Sequence, residues 1–147
     1  MGYEIRPFRV ADAMAIKDDV IESVFNGVFG ETAFVLAARM GPAYTATYDA
    51  QIIGVGGIII RGLSCPRAWA MFTSRIPTLK IALDGAMEAK AIMDRMIKTN
   101  NLKRVYAGAR CDFKKAQRYL HFLGFRPTGR ILNEGFGASY EYVRTVE

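Results

Sequence analysis

Two side chains able to move protons, Tyr119 and His121, stand close together in the stretch YLHFLGFRP at 119–127. A phenol can protonate a leaving group, and an imidazole can accept a proton near neutral pH. Each residue also has a plainer reading. A tyrosine beside apolar helical positions is more often partly buried packing, and a lone histidine near a helix end usually meets the last carbonyls or solvent. Cys111 lies just before an expected helix start, where a thiolate is stabilised, yet with no histidine partner it reads as a small apolar filler. With only Cys65, Cys111 and His121 as soft ligands, the usual zinc spacings are absent, and no structural metal is expected. Gly54, Gly56 and Gly57 fail the dinucleotide fingerprint because its third glycine would fall at Ile59, so they mark a bulge or a close approach in a strand. Arg75 and Lys80 flank a helix entrance near Pro77, where unpaired N–H groups favour an anion. A second basic group, Arg110, Lys114, Lys115 and Arg118, is either a solvated face or a contact for a polyanion.

The elements that must position these residues come from a chain of 147 residues, 51% apolar and 12% aromatic, enough for one domain over 1–147 with a real core. The net charge of +6 favours an anionic partner: a phosphorylated cofactor, an acidic protein surface or nucleic acid. No block of like charges forms a basic arm, so nucleic acid is not the expected partner; that role would show steep loss of binding with salt. The longest apolar run, IIGVGGIII at 52–60, is too short to cross a bilayer. The opening MGYEIRPFRV lacks a signal-peptide core, and an intracellular protein is expected.

Alternation predicts a strand over Tyr3 to Phe8, then a helix capped by Asp12, with Ala13, Ile16, Val20 and Val24 at helical spacing and an end near Asn26 and Gly27. A second helix runs from Glu31 to Met40, closed by Gly41 and Pro42. Tyr44 to Tyr48 and Gln51 to Arg61 read as a hairpin turning at Asp49 and Ala50, and 68–74 (AWAMFTS) as the next strand of the same sheet. Thr78 to Thr99 is a long helix with Leu79, Leu83, Ala86, Met93 and Ile97 on its apolar face and Asn100 and Asn101 at its exit. A strand at Arg104 to Ala109 completes a crossover, so it should lie parallel to the tryptophan strand. Asp112 caps a last helix with Phe113, Ala116, Leu120 and Leu123 as its stripe, Gly124 takes the left-handed C′ position, and two strands near Phe125 to Leu132 and Ala138 to Arg144 close the chain.

This order resembles the GNAT fold of acetyl-CoA-dependent N-acetyltransferases, an α/β fold with a mixed central sheet of about seven strands flanked by helices. The resemblance covers nearly the whole chain and is carried by IRPFRVADAMAI with Arg6 and Asp12, by AQIIGVGGIII, and by AQRYLHFLGFRP. More narrowly, Trp69 to Ser74 ahead of the long helix is similar to small GNAT-like phage proteins, some of them internal virion proteins. The resemblance implies a cleft between the fourth and fifth strands that takes acetyl-CoA, with an amine attacking the thioester directly. It places cofactor contacts at Met71, Phe72, Thr73, Arg75, Thr78, Lys80, Phe113 and Ala116, and Tyr119, one residue before the usual acid position, is the candidate proton donor. The chain departs from the family pattern in three places. SRIPTLKIALDGA at 74–86 keeps only Gly85 of the glycine-rich phosphate loop, Leu120 stands where a tyrosine acid is usual, and Phe113 replaces an asparagine. Two functions follow: transfer of an acetyl group from acetyl-CoA to an amine, or a fold without turnover that binds virion or host proteins. A cytoplasmic or virion location goes with them.

Overall fold

Hydrophobic spacing divides the described residues into seven strands and four helices: β1 (Tyr3–Pro7), α1 (Val10–Ile16), α2 (Glu31–Met40), β2 (Ala43–Tyr48), β3 (Gln51–Ile59), β4 (Arg67–Phe72), α3 (Leu79–Thr99), β5 (Arg104–Arg110), α4 (Lys114–Phe122), β6 (Arg126–Glu134) and β7 (Gly137–Thr145). The computed structural model describes residues 2–17, 31–61, 65–73, 79–134 and 137–146. The strands form one sheet in the order β1-β2-β3-β4-β5-β7-β6. Every neighbouring pair is antiparallel except β4 and β5, the parallel pair that the crossover through α3 requires.

The two faces of the sheet bury different sets. On one, Val105, Ala107 and Ala109 of β5 pack with Ile92, Met93, Met96 and Ile97 of α3 and with Leu123 and Phe125. On the other, Val55, Trp69 and Met71 pack with Ala13, Ile16, Phe34 and Ala37 of α1 and α2. Single-face burial of this kind is what period-two strands and period-3.6 helices produce. No described helix is long and apolar enough to cross a membrane.

Turn chemistry follows the sequence. Asp49 and Ala50 both take positive φ (49° and 67°), the two-residue turn that joins β2 to β3. Asn101 is left-handed at φ 52° after α3, and the Asn100 side chain donates to the Met96 carbonyl at 2.8 Å. Gly124 at φ 96° closes α4 with its N–H on the His121 carbonyl at 3.0 Å, while the Phe125 N–H reaches the Leu120 carbonyl at 2.9 Å, a complete Schellman end. β6 is an edge strand whose register on β7 jumps between Pro127 and Ile131, with Gly129 at φ 88° inside the bulge.

Three expectations need correction. Asp12 is not the N-cap of α1; Arg9 is, and Asp12 occupies the third helical position, where its carboxylate accepts the Arg9 N–H at 3.0 Å. The rest of the expected first helix lies outside the described residues. Asp112 does not cap α4: Phe113 is the N-cap, and the Asp112 carboxylate is taken by Arg110 at 2.8 Å. Leu83 is 58% exposed, because the buried contacts of α3 gather in its second half at Ile92, Met93, Met96 and Ile97.

Gly57 shows why glycines interrupt an otherwise apolar strand. A Cβ there would stand 2.3 Å from the Pro42 carbonyl oxygen and 2.8 Å from Ala43 Cα, both backbone atoms that cannot swing aside. Gly57→Ala should therefore destabilise the protein by about 1–3 kcal/mol, read as a lower urea midpoint at an unchanged slope.

Candidate active site

The parallel join between β4 and β5 is the place where the sheet opens. Arg67↔Tyr106 is their one registered pair among the described residues, supported by the Tyr106 N–H on the Pro66 carbonyl at 2.9 Å. Past that point β4 continues against β3 alone, from Ala68↔Ile58 to Phe72↔Gly54. β5 continues against β7 alone, from Ala107↔Tyr142 to Arg110↔Ser139. The two inner edges thus part toward their C-terminal ends. A cleft of this kind offers backbone donors and acceptors to an extended ligand.

The cleft brings together several of the residues singled out in the sequence. Phe72, on the α3/α4 face, meets Tyr119 of α4 edge-on, with ring centroids 5.1 Å apart. Burial pushes the Tyr119 phenol well above its ordinary range, so it stays protonated at neutral pH. Its hydroxyl makes no hydrogen bond to another described residue. Phe113 and Ala116, both half-buried, stand at the start of α4, where Ala116 packs against the core beneath.

Other residues are placed differently. The Met71 side chain is 1% exposed and belongs to the core under α1 and α2, and its backbone, in step with that of Thr73, is turned toward β3. Thr73 is 2% exposed, and its N–H donates to the Ile53 carbonyl at 3.1 Å. Lys80 stands at the start of α3 with its side chain 87% exposed, 4.0 Å from Asp84 one turn on. Gly85 lies inside α3, where a Cβ would come 2.9 Å from the Tyr3 hydroxyl; its role is packing against β1. Arg75 and Thr78 lie outside the described residues. His121 sets its ring edge-on against Tyr142 at 5.6 Å, away from Phe72. Cys111 is a free, half-buried thiol.

Gln117 carries a role the sequence did not announce. Its amide nitrogen donates to the Arg110 carbonyl at 2.9 Å and the Cys111 carbonyl at 3.1 Å. It thereby ties the turn after β5 to α4. A glutamine in a polar helix start gives no sign of such a staple before the turn is seen. Among the described residues no group of acidic, cysteine or histidine side chains could hold a metal.

No protein-family model matches the sequence, and no curated protein matches it. Solved structures match along nearly the whole chain. The ribosomal-protein-S18-alanine N-acetyltransferase of Escherichia coli aligns with a TM-score of 0.73 at 12% identity, over 99% of this chain and 94% of its own. Ard1 from Thermoplasma volcanium gives 0.72 at 17% identity, over 100% and 99%. For yncA from Salmonella typhimurium, solved with its cofactor acetyl-CoA, the values are 0.69 and 12%, over 100% and 95%. Likeness at such identity fixes the course of the backbone and not the chemistry. With its seven-stranded mixed sheet, its flanking helices and its parting between β4 and β5, the chain has the GNAT, or acyl-CoA N-acyltransferase, fold.

Proposed function

We propose that the protein is an acetyl-CoA-dependent N-acyltransferase acting on an amine. The observation that carries this reading is the parting of β4 and β5 after Arg67↔Tyr106, with Phe72 and Tyr119 facing one another on the α3/α4 side. The same fold holds acetyl-CoA in yncA from Salmonella typhimurium.

Acetyl-CoA, when bound, supplies a thioester carbonyl for attack by the amine nitrogen. The backbone edge of β4 at Phe72, between Met71 and Thr73, holds the extended arm by main-chain hydrogen bonds. Arg75, Thr78 and Lys80, around the start of α3, receive its phosphates, and Phe113 and Ala116 close the opposite wall. As the C–N bond forms and the C–S bond breaks, the amine gives up a proton to water and Tyr119 gives one to the sulfur, its phenolate then regaining a proton from water.

Calorimetric titration with acetyl-CoA tests the reading, with dephospho-CoA as the control for the 3′-phosphate. Micromolar binding is expected, and Arg75→Ala and Lys80→Ala should each weaken it about threefold or more, as loss of a charge near a phosphate does. No binding at millimolar acetyl-CoA would end the enzyme reading. A second reading, a virion or host-interaction protein on the same fold, is favoured by one observation: 74–86 retains only Gly85, and that glycine packs on Tyr3 inside α3. Failure of the titration would leave that reading standing.

A further inference from the structure

At the end of the sheet away from the parting lies a cavity of about 310 Å³ that the proposed reaction does not use. Its walls come from the last third of α3, the turn at 101–103 and the end of β7. Lys103 and Val146 lie just beyond Arg104↔Thr145, the first pair of β5 with β7, and the Val146 N–H donates to the Lys103 carbonyl at 2.9 Å. The parting opens toward Arg110, at the other end of the same ladder. Along α3, at 1.5 Å per residue, the cavity begins at Asp94, about 20 Å from Leu79. It is therefore separate from the helix start where the phosphates of acetyl-CoA are proposed to sit.

The polar side of the cavity is rich in cationic donors. Arg144, its side chain 18% exposed, is fixed between two elements: it donates to the Asp94 carboxylate of α3 and, at 3.0 Å, to the Leu123 carbonyl at the end of α4. Lys98 and Lys103 line the same space, and neither side chain has an ion pair or hydrogen bond with another described residue. The one carboxylate in the lining, Asp94, is already shared between Arg144 and Lys90, the latter at 3.6 Å. The negative end of α3 is covered as well. The Asn100 side chain donates to the Met96 carbonyl at 2.8 Å, the Leu102 N–H to Ile97 at 3.0 Å and the Asn101 N–H to Lys98 at 3.2 Å. Three cations against one carboxylate leave an excess of two positive charges, and such a lining selects an anion.

The rest of the lining is apolar. Ile97 and Leu102, both core residues, reach the cavity from beneath, and Val146 adds an apolar side chain that is 37% exposed. A bare inorganic ion would leave these three side chains facing water, whereas a ligand with an apolar body covers them. A phosphate monoester, close to doubly charged at neutral pH, matches the excess of two positive charges. Solvated surface lysines alone would offer neither the fixed guanidinium nor the apolar floor.

We propose that the cavity between the end of α3 and the end of β7 binds a small organic phosphate, its phosphoryl group on Lys98, Lys103 and Arg144 and its apolar body on Ile97, Leu102 and Val146. The site goes beyond the acyltransferase reading and does not rest on it. It requires neither acetyl-CoA nor turnover, so a binding measurement tests it separately.

The experiment is a titration of the full-length, isotope-labelled protein with phenyl phosphate, followed by amide NMR shifts. Inorganic phosphate serves as the control without an apolar body, and benzyl alcohol as the control without charge. Millimolar phenyl phosphate is expected to shift the Lys98, Leu102, Lys103 and Val146 amides to saturation, inorganic phosphate to bind about tenfold more weakly, and benzyl alcohol to leave them in place. Lys98 and Lys103 are both exposed, so the double variant Lys98→Gln/Lys103→Gln should keep its melting temperature and lose about tenfold in affinity. Val146→Ser should weaken phenyl phosphate and not inorganic phosphate. Equal affinity for the two phosphates would mean an adventitious ion only and would overturn the proposal. So would undiminished binding in the double variant, shifts confined to the Phe72 and Leu79 amides of the cleft, or no saturable shift up to tens of millimolar. If acetyl-CoA fails to bind while the phenyl phosphate response depends on Lys98 and Lys103, the phosphate site stands and the acyltransferase reading falls.

Discussion

Asp12→Ala is expected to cost about 3–5 kcal/mol of folding stability, the usual penalty when one partner of a buried ion pair is removed. Asp12 is 4% exposed, and its carboxylate takes both Arg6 guanidinium nitrogens at 2.7 and 2.8 Å, the Thr45 hydroxyl at 2.7 Å and the Arg9 N–H at 3.0 Å. Without it, Arg6 and the fully buried Thr45 lose their anchor together, and β1, α1 and β2 lose the group that joins them. The charge also makes stability depend on pH. Burial alone would raise the Asp12 carboxyl, but the Arg6, Thr45 and Arg9 donors outweigh it and hold the group down to about 2, against an ordinary 3.8. Because the unfolded chain takes up this proton at higher pH than the folded one, the contribution is complete above about pH 4 and is lost as pH falls toward 2. Its size is about 2 kcal/mol. Urea unfolding of the native protein and of Asp12→Asn should therefore differ most at neutral pH and draw together near pH 2. A difference that stays constant across that window would show that packing, and not charge, carries the effect.

Tyr119→Phe is expected to lower kcat for acetyl transfer about 100-fold while leaving acetyl-CoA affinity and the melting temperature unchanged. Phenylalanine keeps the edge contact with Phe72 and removes only the hydroxyl. Burial raises the Tyr119 phenol above its ordinary 10.0, so an alkaline fall in rate near or below pH 10 would belong to another group. Undiminished kcat in Tyr119→Phe would assign this residue to packing alone and send the proton through water.

Much of this architecture can be read along the chain because its determinants are local. The Asp49 and Ala50 turn, the Asn101 exit and the Gly124 Schellman end all follow from residues within one or two helical turns of the feature they set. The two capping errors are also local and share one cause. Asp12 and Asp112 both read as caps, but a nearby arginine, Arg6 in one case and Arg110 in the other, competes for the carboxylate. Leu83 obeys the helical period yet is exposed, because the buried contacts of α3 gather further along at Ile92, Met93, Met96 and Ile97. The site is harder to see because its contacts cross long stretches of chain. Phe72 meets Tyr119 only once β4, β5 and α4 are assembled.

The two margins of the sheet decide how the protein can associate. β1, at one margin, is five residues long and ends in Pro7, which has no N–H to give a ladder. β6, at the other, carries Pro127, the left-handed Gly129 and the exposed Arg126 and Arg130 along the same stretch. A passing strand thus finds neither margin a long, flat template, and amyloid-like stacking is blocked at both ends by residues that the interior of the fold does not require. Self-association at high concentration must then run through side chains on the faces and not through growth of the sheet.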